Sequence, residues 1–149
     1  MTYYFLESSA FAKLFILEQG SDPLILLLDS VDDSHKLVST LASLEIRSAI
    51  RRRERAGEIR RPLASQALAA LEAEGTRIVE QPLSQAVVDA AKLVLDSHAL
   101  RALDALHLGA CIIIRNTLQV PDICFVSADD ALLQAAEAER FPILNPLKM

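Results

Sequence analysis

The chain is poor in the residues that mark non-globular and disulfide-stabilised proteins. Its 149 residues include only 4 Gly, 6 Pro, 2 Cys and no Trp, while 52% are hydrophobic and 23% are charged. This composition excludes collagen, coiled-coil and disordered chains. At this length roughly two-thirds of the unfolded surface can be buried. We therefore expect residues 1–149 to form a single domain that folds without disulfide bonds, metals or a partner.

Long hydrophobic runs are also missing. The longest, residues 24–28 and 111–114, fall far short of the ~20 residues needed to cross a bilayer, so we expect no membrane association. The amino terminus reaches Glu7 with no basic residue before its apolar stretch, which is unlike a secretory signal and predicts a cytoplasmic location. Cys111 and Cys124 lack metal-ligand or redox spacing, and we interpret both as small core hydrophobes.

Positive charge is scarce overall and concentrated in one segment. The formal net charge is −5, from 15 basic and 20 acidic residues, which argues against a protein that holds nucleic acid by overall electrostatic attraction. Residues 47–61 reverse this balance, because seven arginines against two glutamates give +5 and leave −10 for the remainder. The sequence thus predicts a basic patch on an acidic body.

Apolar runs of four or five residues alternate with longer helical patterns along the chain. This alternation predicts an α/β fold, with a central parallel sheet of four to five strands and helices on both faces. We expect the strands to be buried on both faces, since they are near-continuously apolar. They cover residues 3–6, 36–39, 77–80, 123–126 and 142–144.

The predicted helices begin and end at recognisable capping residues, glycines and prolines. They cover residues 10–19, a short segment from Pro23, and residues 40–57, 62–75, 84–98, 102–116 and 128–140. We expect Ser8 or Ser9 to cap the first helix and Asp22 to cap the segment from Pro23. Ser39 or Thr40 should open the helix at 40–57, and Ser84 should start the helix at 84–98. Helices 40–57 and 62–75 should form a hairpin.

Four carboxylates lie at or near the ends of the predicted strands, where ligands of doubly wound sheets bind. Glu7 follows the first strand and Asp129 follows the fourth. Glu45 lies in the first turns of the helix after the second strand, and Asp104 lies near the start of the helix at 102. All four have apolar sequence neighbours, where isolated surface acids rarely lie.

Four short segments surround these acids in a fixed order: YFLESSA at 4–10, STLASLE at 39–45, LDALHLGA at 103–110 and FVSADDAL at 125–132. Together they resemble the motifs of PIN-domain ribonucleases, specifically the VapC-like toxins of bacterial toxin–antitoxin pairs, across nearly the whole chain. The resemblance implies a PIN-like fold and a divalent-metal endoribonuclease that acts on structured RNA. It also implies inhibition by a cognate antitoxin protein, and a homodimer.

The chemistry of clustered carboxylates points to a metal independently of any family. Acids within a few ångströms of one another repel unless a cation neutralises them, and hard oxygen ligands select Mg²⁺ or Mn²⁺ over zinc. Such an ion activates water and stabilises the charge of an in-line displacement. We predict Glu7, Asp104 and Asp129 as catalytic metal ligands, and Glu45 as ligand or general base. We predict that Ser9 orients a water or a phosphate.

One position departs from the family pattern. The first acid is Glu7, where the family strongly favours Asp, and the extra methylene displaces the carboxylate. Magnesium tolerates such displacement poorly, because it requires near-octahedral geometry at roughly 2.0–2.1 Å. The alternative function is therefore a catalytically impaired PIN module that binds RNA or a protein partner without cleaving.

Ordinary structural roles are open for the same residues. Glu7 and Asp104 fit acids at helix N-termini, and Asp129 fits an N-cap. Glu45 could form a buried ion pair with an arginine such as Arg101. His107 lies on the same helical face as Asp104, which would suit a metal ligand or a proton shuttle. We interpret it as a packing residue, because a carboxylate metal site needs no imidazole.

The arginine run at 51–53 has three open interpretations: a solvated helix face, a contact for RNA phosphates, and a docking site for an acidic antitoxin segment. Arg51 and Arg52 are the candidate contacts. A receiver-type phosphoacceptor site also gathers acids at strand ends, but we set it aside because Lys148 lies too near the terminus to supply its lysine.

Overall fold

The computed structural model describes residues 1–30 and 33–149. The strands are β1 (Thr2–Leu6), β2 (Ser34–Ser39), β3 (Val79–Gln81), β4 (Cys124–Val126) and β5 (Ile143–Leu144). The α-helices are α1 (Ser8–Phe11), α2 (Ser21–Ser30), α3 (Thr40–Arg55), α4 (Arg61–Glu74), α5 (Gln85–Ser97), α6 (Ala102–Leu118) and α7 (Asp130–Ala138). Single 3-10 turns cover Ala12–Leu14 and Pro146–Lys148. This succession confirms the predicted α/β class.

The five strands form one parallel sheet in the order β3-β2-β1-β4-β5. The central strand β1 pairs with β2 on one side and with β4 on the other. The chain therefore changes direction on either side of β1, and the carboxyl ends of β1, β2 and β4 meet at the switch point where ligands of such sheets bind.

The hydrophobic core forms two layers, one on each face of the sheet. Successive side chains of a strand point to opposite faces, and β1 divides accordingly. Phe5 packs with apolar residues of α5, α6 and α7, whereas Tyr4 and Leu6 pack with residues of α1, α2, α3 and α4. Helices on both faces are thus confirmed, and α3 and α6 belong to opposite layers.

The expectation that all strands are buried on both faces is wrong for the sheet edges. Val79 of β3 is 51% exposed and Ile143 of β5 is 37% exposed. Both strands are outermost in the sheet and only two or three residues long, so they receive less cover from the helices. The central strand β1 ends in three buried residues, as predicted.

The first helix is shorter than predicted and has a different cap. It runs from Ser8 to Phe11 and continues as a 3-10 turn that ends at Leu14. Its N-cap is Glu7, whose carboxylate accepts a hydrogen bond from Ser9 N at 3.1 Å. Gly20 then adopts φ +89°, and a side chain there would come within 3.0 Å of the Pro146 carbonyl oxygen. The expected N-caps Ser39, Ser84 and Asp129 are observed, whereas Asp22 lies in the first turn of α2, which begins at Ser21.

Helices α5 and α6 pack closely on one face of the sheet. A Cβ atom at Gly109 of α6 would lie 2.9 Å from the Val87 carbonyl oxygen and 3.0 Å from Ala91 N of α5. Within the ranges 1–30 and 33–149, no single helix has the length and hydropathy of a membrane span. Helices α5 and α6 reach the length and hydropathy of a span only when they are counted as one segment, and the chain bends by 118° between them.

Both cysteines are free thiols in apolar surroundings. Cys111 is fully buried, and burial raises its pKa well above the ordinary value. Cys124 is partly buried, and the same effect raises its pKa to about 11. Their interpretation as core hydrophobes agrees with this environment.

Candidate functional site

The turn after β1 places Glu7 between two strands at the carboxyl edge of the sheet. Its backbone N donates to the Val126 carbonyl oxygen of β4 at 3.0 Å. Its side chain is 6% exposed. One carboxylate oxygen, Oε2, accepts hydrogen bonds from Ser9 N (3.1 Å), Ser9 Oγ (2.5 Å) and Ser127 Oγ (2.8 Å). Across the described residues, no protein group donates to its other oxygen, Oε1.

Ser9 joins this turn to the turn after β4. Its hydroxyl donates to Glu7 Oε2 and accepts from Ala128 N at 2.9 Å. Ser127, which is fully buried, completes the connection by donating to the same Glu7 oxygen. The two serines therefore fix the orientation of the Glu7 carboxylate by donating to the same oxygen, Oε2. The predicted role of Ser9 toward a water or phosphate stays a prediction.

A second polar cluster joins α1, α3 and α6. Ser8 Oγ donates to Glu45 Oε1 at 3.0 Å, and His107 Nε2 lies 2.5 Å from the same oxygen and 3.1 Å from Ser8 Oγ. Burial alone would raise the pKa of Glu45, but the hydrogen bond and charge of His107 and the hydrogen bond from Ser8 lower it below the ordinary value. Glu45 is thereby held as a carboxylate.

The partner of Glu45 is His107 and not an arginine such as Arg101. His107 is also more than the packing residue that the sequence suggested, although it is only 1% exposed. Its Nε2 belongs to the polar cluster, while its buried Nδ1 has no hydrogen-bond partner in the described part of the chain. The only signal in the sequence was its position one helical turn after Asp104.

Asp104 and Asp129 lie near this cluster. Asp104 is half-buried in the first turn of α6. Asp129 is the N-cap of α7, and its Oδ1 accepts from Ala131 N at 2.9 Å and Leu132 N at 3.2 Å. Burial raises the pKa of Asp104; the negative charges of Asp129 and Glu45 raise it further, whereas His107 and Arg101 act in the opposite direction. The acids are therefore close enough to repel one another.

Glu7 and Glu45 line one surface groove of about 760 Å³. Ser8, Ser9 and Leu103 line it as well, which brings the groove to the start of α6. Arg52 and Arg53 line it farther along α3. The guanidinium of Arg51 instead pairs with Glu54 of the same helix at 3.0 Å, and Arg51 does not line this groove. The structure thus separates the two predicted contacts, Arg51 and Arg52.

The donor chemistry of the four acids fits a hard divalent cation. Each of Glu7 and Glu45 has one oxygen held by protein donors, which orients the carboxylate. Burial is the main cause of the raised pKa of Asp104, and the negative charges of Asp129 and Glu45 add a repulsion that a cation relieves. Over residues 1–30 and 33–149, however, no three His, Cys, Asp or Glu side chains are positioned around one point as ligands. Coordination would therefore require the carboxylates to move closer together.

Comparisons with known proteins identify the fold. No family model and no curated protein matches the sequence. The chain is similar to one in VapBC2 from Rickettsia felis bound to a DNA fragment from their promoter, with TM-score 0.64, 11% identity, and 97% of this chain and 98% of that chain covered. It is similar to a chain of FitAB bound to the IR36 DNA fragment, with TM-score 0.66, 14% identity and coverage of 98% and 96%.

A third solved structure, FitAcB from Neisseria gonorrhoeae, has a chain similar to this one with TM-score 0.61, 14% identity and coverage of 98% and 99%. The parallel five-stranded sheet with helices on both faces is the PIN-like α/β fold of these neighbours. The resemblance to VapC-like PIN proteins is therefore confirmed at the level of the fold.

Proposed function

We propose that this chain is a divalent-metal-dependent endoribonuclease that hydrolyses RNA phosphodiester bonds as the toxin of a toxin–antitoxin pair. The observation that supports it most is the meeting of Glu7, Glu45 and His107 around the serines of α1, at the switch point of the sheet. Asp104 and Asp129 are near enough to contribute to the same electrostatic field.

Glu7, Glu45, Asp104 and Asp129 are the residues that would hold Mg²⁺ or Mn²⁺, with Glu45 as ligand or general base. When bound, such an ion makes water a stronger nucleophile and stabilises the charge on the phosphoryl oxygens. Ser9 and Ser127 orient the carboxylate of Glu7 by donating to Oε2. Ser8 and His107 orient that of Glu45 by contacting Oε1.

The partners follow from the same analogy of fold. Chains similar to this one belong to the VapBC2 and FitAB structures, each bound to DNA. We therefore propose a cognate antitoxin protein as the partner of this chain. The resemblance of its motifs to those of VapC-like toxins leads us to propose RNA as its substrate and a homodimer as its assembly. A single domain and a cytoplasmic location stay predictions that agree with this role.

The environment of Glu7 favours a second candidate function, a PIN module that binds RNA or a protein partner without cleaving. The Glu7 side chain is 94% shielded from solvent, and three donors hold one of its oxygens. A carboxylate held in this way adjusts poorly to the strict geometry of Mg²⁺.

Incubation of the purified protein with a pool of transfer RNAs tests the proposal. We expect cleavage with Mn²⁺ or Mg²⁺, none with EDTA, and none with Asp104→Asn, which keeps the shape of the side chain and removes its charge. If the wild-type protein binds Mn²⁺ in calorimetry but leaves the RNA intact, the nuclease proposal is wrong and the binding module takes its place.

A further inference from the structure

A cluster of three cations and one acid lines the groove beyond Glu45. We call Lys13, Glu18, Arg52 and Arg53 the charged cluster; all four line the groove that contains Glu7 and Glu45. Lys13 Nζ donates to Glu18 Oε1 at 3.0 Å, and Arg53 donates to Glu18 Oε2 at 3.3 Å. Glu18 thus bridges two cations that belong to different elements, the 3-10 turn after α1 and the end of α3.

The burial of Lys13 distinguishes this cluster from ordinary surface charges. Its side chain is only 6% exposed, whereas Glu18 is 28% exposed and Arg53 is 39% exposed. A buried ammonium without a counter-ion is strongly unfavourable, so Lys13 requires an anion beside it. Since Lys and Arg recognise carboxylates and phosphates with the same donors, a phosphate can fill the position of the Glu18 carboxylate.

The cluster lies along α3 from the proposed catalytic acids. Glu45 and Arg52 are seven residues apart, which is two helical turns or about 10.5 Å on the same face, and both line the groove. Three cations against one acid leave +2 here, in a chain whose net charge is −5. A strand with one phosphate at the acids would carry a phosphate farther along its backbone to these cations.

We propose that Lys13, Arg52 and Arg53 form a phosphate-binding subsite for the RNA strand, and that Glu18 is an internal anion which a backbone phosphate displaces. This inference rests on the proposed function, because only a substrate that continues past the carboxylates would use a phosphate subsite in their groove. Glu18 then competes with an incoming phosphate for the three cations, and it weakens the binding of any polyanion that cannot displace it.

The test is the binding of fluorescein-labelled octauridylate, followed by fluorescence anisotropy in EDTA, where no cleavage occurs. Glu18→Gln should bind about 3- to 10-fold more tightly at low salt, with a salt dependence of log K steeper by about 0.7 for each added phosphate contact. Adding Arg53→Gln to Glu18→Gln should cancel this gain. The matched control is Glu72→Gln, which removes an equal charge outside the groove. This variant also breaks an ion pair with an arginine of α3, Arg47. Its affinity for octauridylate should equal that of the wild type.

Equal binding by wild type and Glu18→Gln, or an equal gain in Glu72→Gln, overturns the proposal. If Glu18→Gln gains affinity for hexaglutamate but not for octauridylate, the cluster is a docking site for an acidic peptide, and the RNA assignment is wrong. If Glu18→Gln does not fold, the single variants Arg53→Gln and Arg47→Gln test the proposal instead. Arg53→Gln should weaken octauridylate binding several-fold, whereas Arg47→Gln should leave it unchanged. Equal effects of the two variants overturn the subsite. Failure of the nuclease proposal would appear separately, as absence of Mn²⁺-dependent cleavage.

Discussion

Glu45 and His107, 62 residues apart in the sequence, meet with Oε1 and Nε2 at 2.5 Å. Glu45 belongs to α3, which packs on one face of the sheet, and His107 belongs to α6, which packs on the other. Their contact therefore passes across the carboxyl edge of the sheet and joins the two layers. Ser8, at the start of α1, hydrogen-bonds to both side chains, so the proposed site and the joint between the layers coincide.

Replacement of His107 should therefore affect both stability and metal binding. His107→Ala removes a hydrogen bond to a charged group, and we expect the free energy of unfolding to fall by about 1.5–3 kcal/mol. Mn²⁺ affinity should fall as well, because Glu45 loses one of the two groups that orient it. Urea unfolding and Mn²⁺ calorimetry measure the two effects.

The control for His107→Ala is His35→Ala, since His35 pairs with Asp33 on the surface. It should change stability by less than about 0.5 kcal/mol. Unchanged Mn²⁺ affinity in His107→Ala would show that the histidine is structural only and does not position Glu45.

The length of the Glu7 side chain separates the two candidate functions. Glu7→Asp introduces the acid that the family favours, but it withdraws the carboxylate from Ser9 and Ser127, which donate to Oε2. If Glu7 is an active ligand adapted to these donors, we expect RNA cleavage at or below the wild-type rate. A gain of tenfold or more in the cleavage rate would identify Glu7 as an impairing replacement.

Gly109 should be required for the packing of α5 against α6. An alanine inside a helix ordinarily stabilises it by about 1 kcal/mol relative to glycine. At Gly109 the new Cβ would lie 2.9 Å from the Val87 carbonyl oxygen, and such overpacking costs about 1–3 kcal/mol. Gly109→Ala should therefore lower the midpoint of urea unfolding. Thr117→Ala, at an exposed position of the same helix, should leave the midpoint unchanged. A higher midpoint for Gly109→Ala would contradict the close approach of α5 and α6.

The two thiols should be unreactive while the protein is folded. With its pKa raised to about 11, Cys124 is about one part in a thousand thiolate at pH 8, and the thiolate is the reactive form. Labelling by a disulfide reagent should be slow for the folded protein and rapid for both thiols in urea. Rapid labelling of folded protein at pH 8 would contradict the burial of both side chains.

The same pKa shifts give stability a pH dependence. An unfolded thiol ionises near pH 8.5, whereas the buried thiols stay neutral to higher pH. The neutral buried thiols therefore make their full contribution to the free energy of unfolding below about pH 8.5, and this contribution is lost as the pH rises toward 11. The decline in the free energy of unfolding over this interval should be smaller in a Cys111→Ala, Cys124→Ala double variant.

Much of the fold was predictable because its signals are local. The apolar run of β1 and the caps Ser39, Ser84 and Asp129 depend on residues adjacent in the sequence, and they appear where expected. The exposure of β3 was not predictable, because it depends on the position of that strand at the edge of the sheet. The close approach of Gly20 to Pro146 was not predictable either, because the two residues lie far apart in the sequence.

The acids of the candidate site could be selected from the sequence, and their role as metal ligands stays a prediction. Glu7, Glu45, Asp104 and Asp129 could be selected because each lies at or near a strand end or a helix start. Their hydrogen-bond partners could not, because the contact of His107 with Glu45 and that of Ser127 with Glu7 join distant segments. The bridge from Lys13 through Glu18 to Arg53 likewise forms only when the turn after α1 packs against α3.

The position of Mn²⁺, located by its anomalous X-ray scattering in crystals grown with the ion, tests whether the four acids bind a metal together. We predict a peak at coordination distance from carboxylate oxygens of at least two of Glu7, Glu45, Asp104 and Asp129, at the carboxyl edge of β1. A peak elsewhere on the molecule, or no peak at saturating Mn²⁺, would contradict the metal-dependent nuclease.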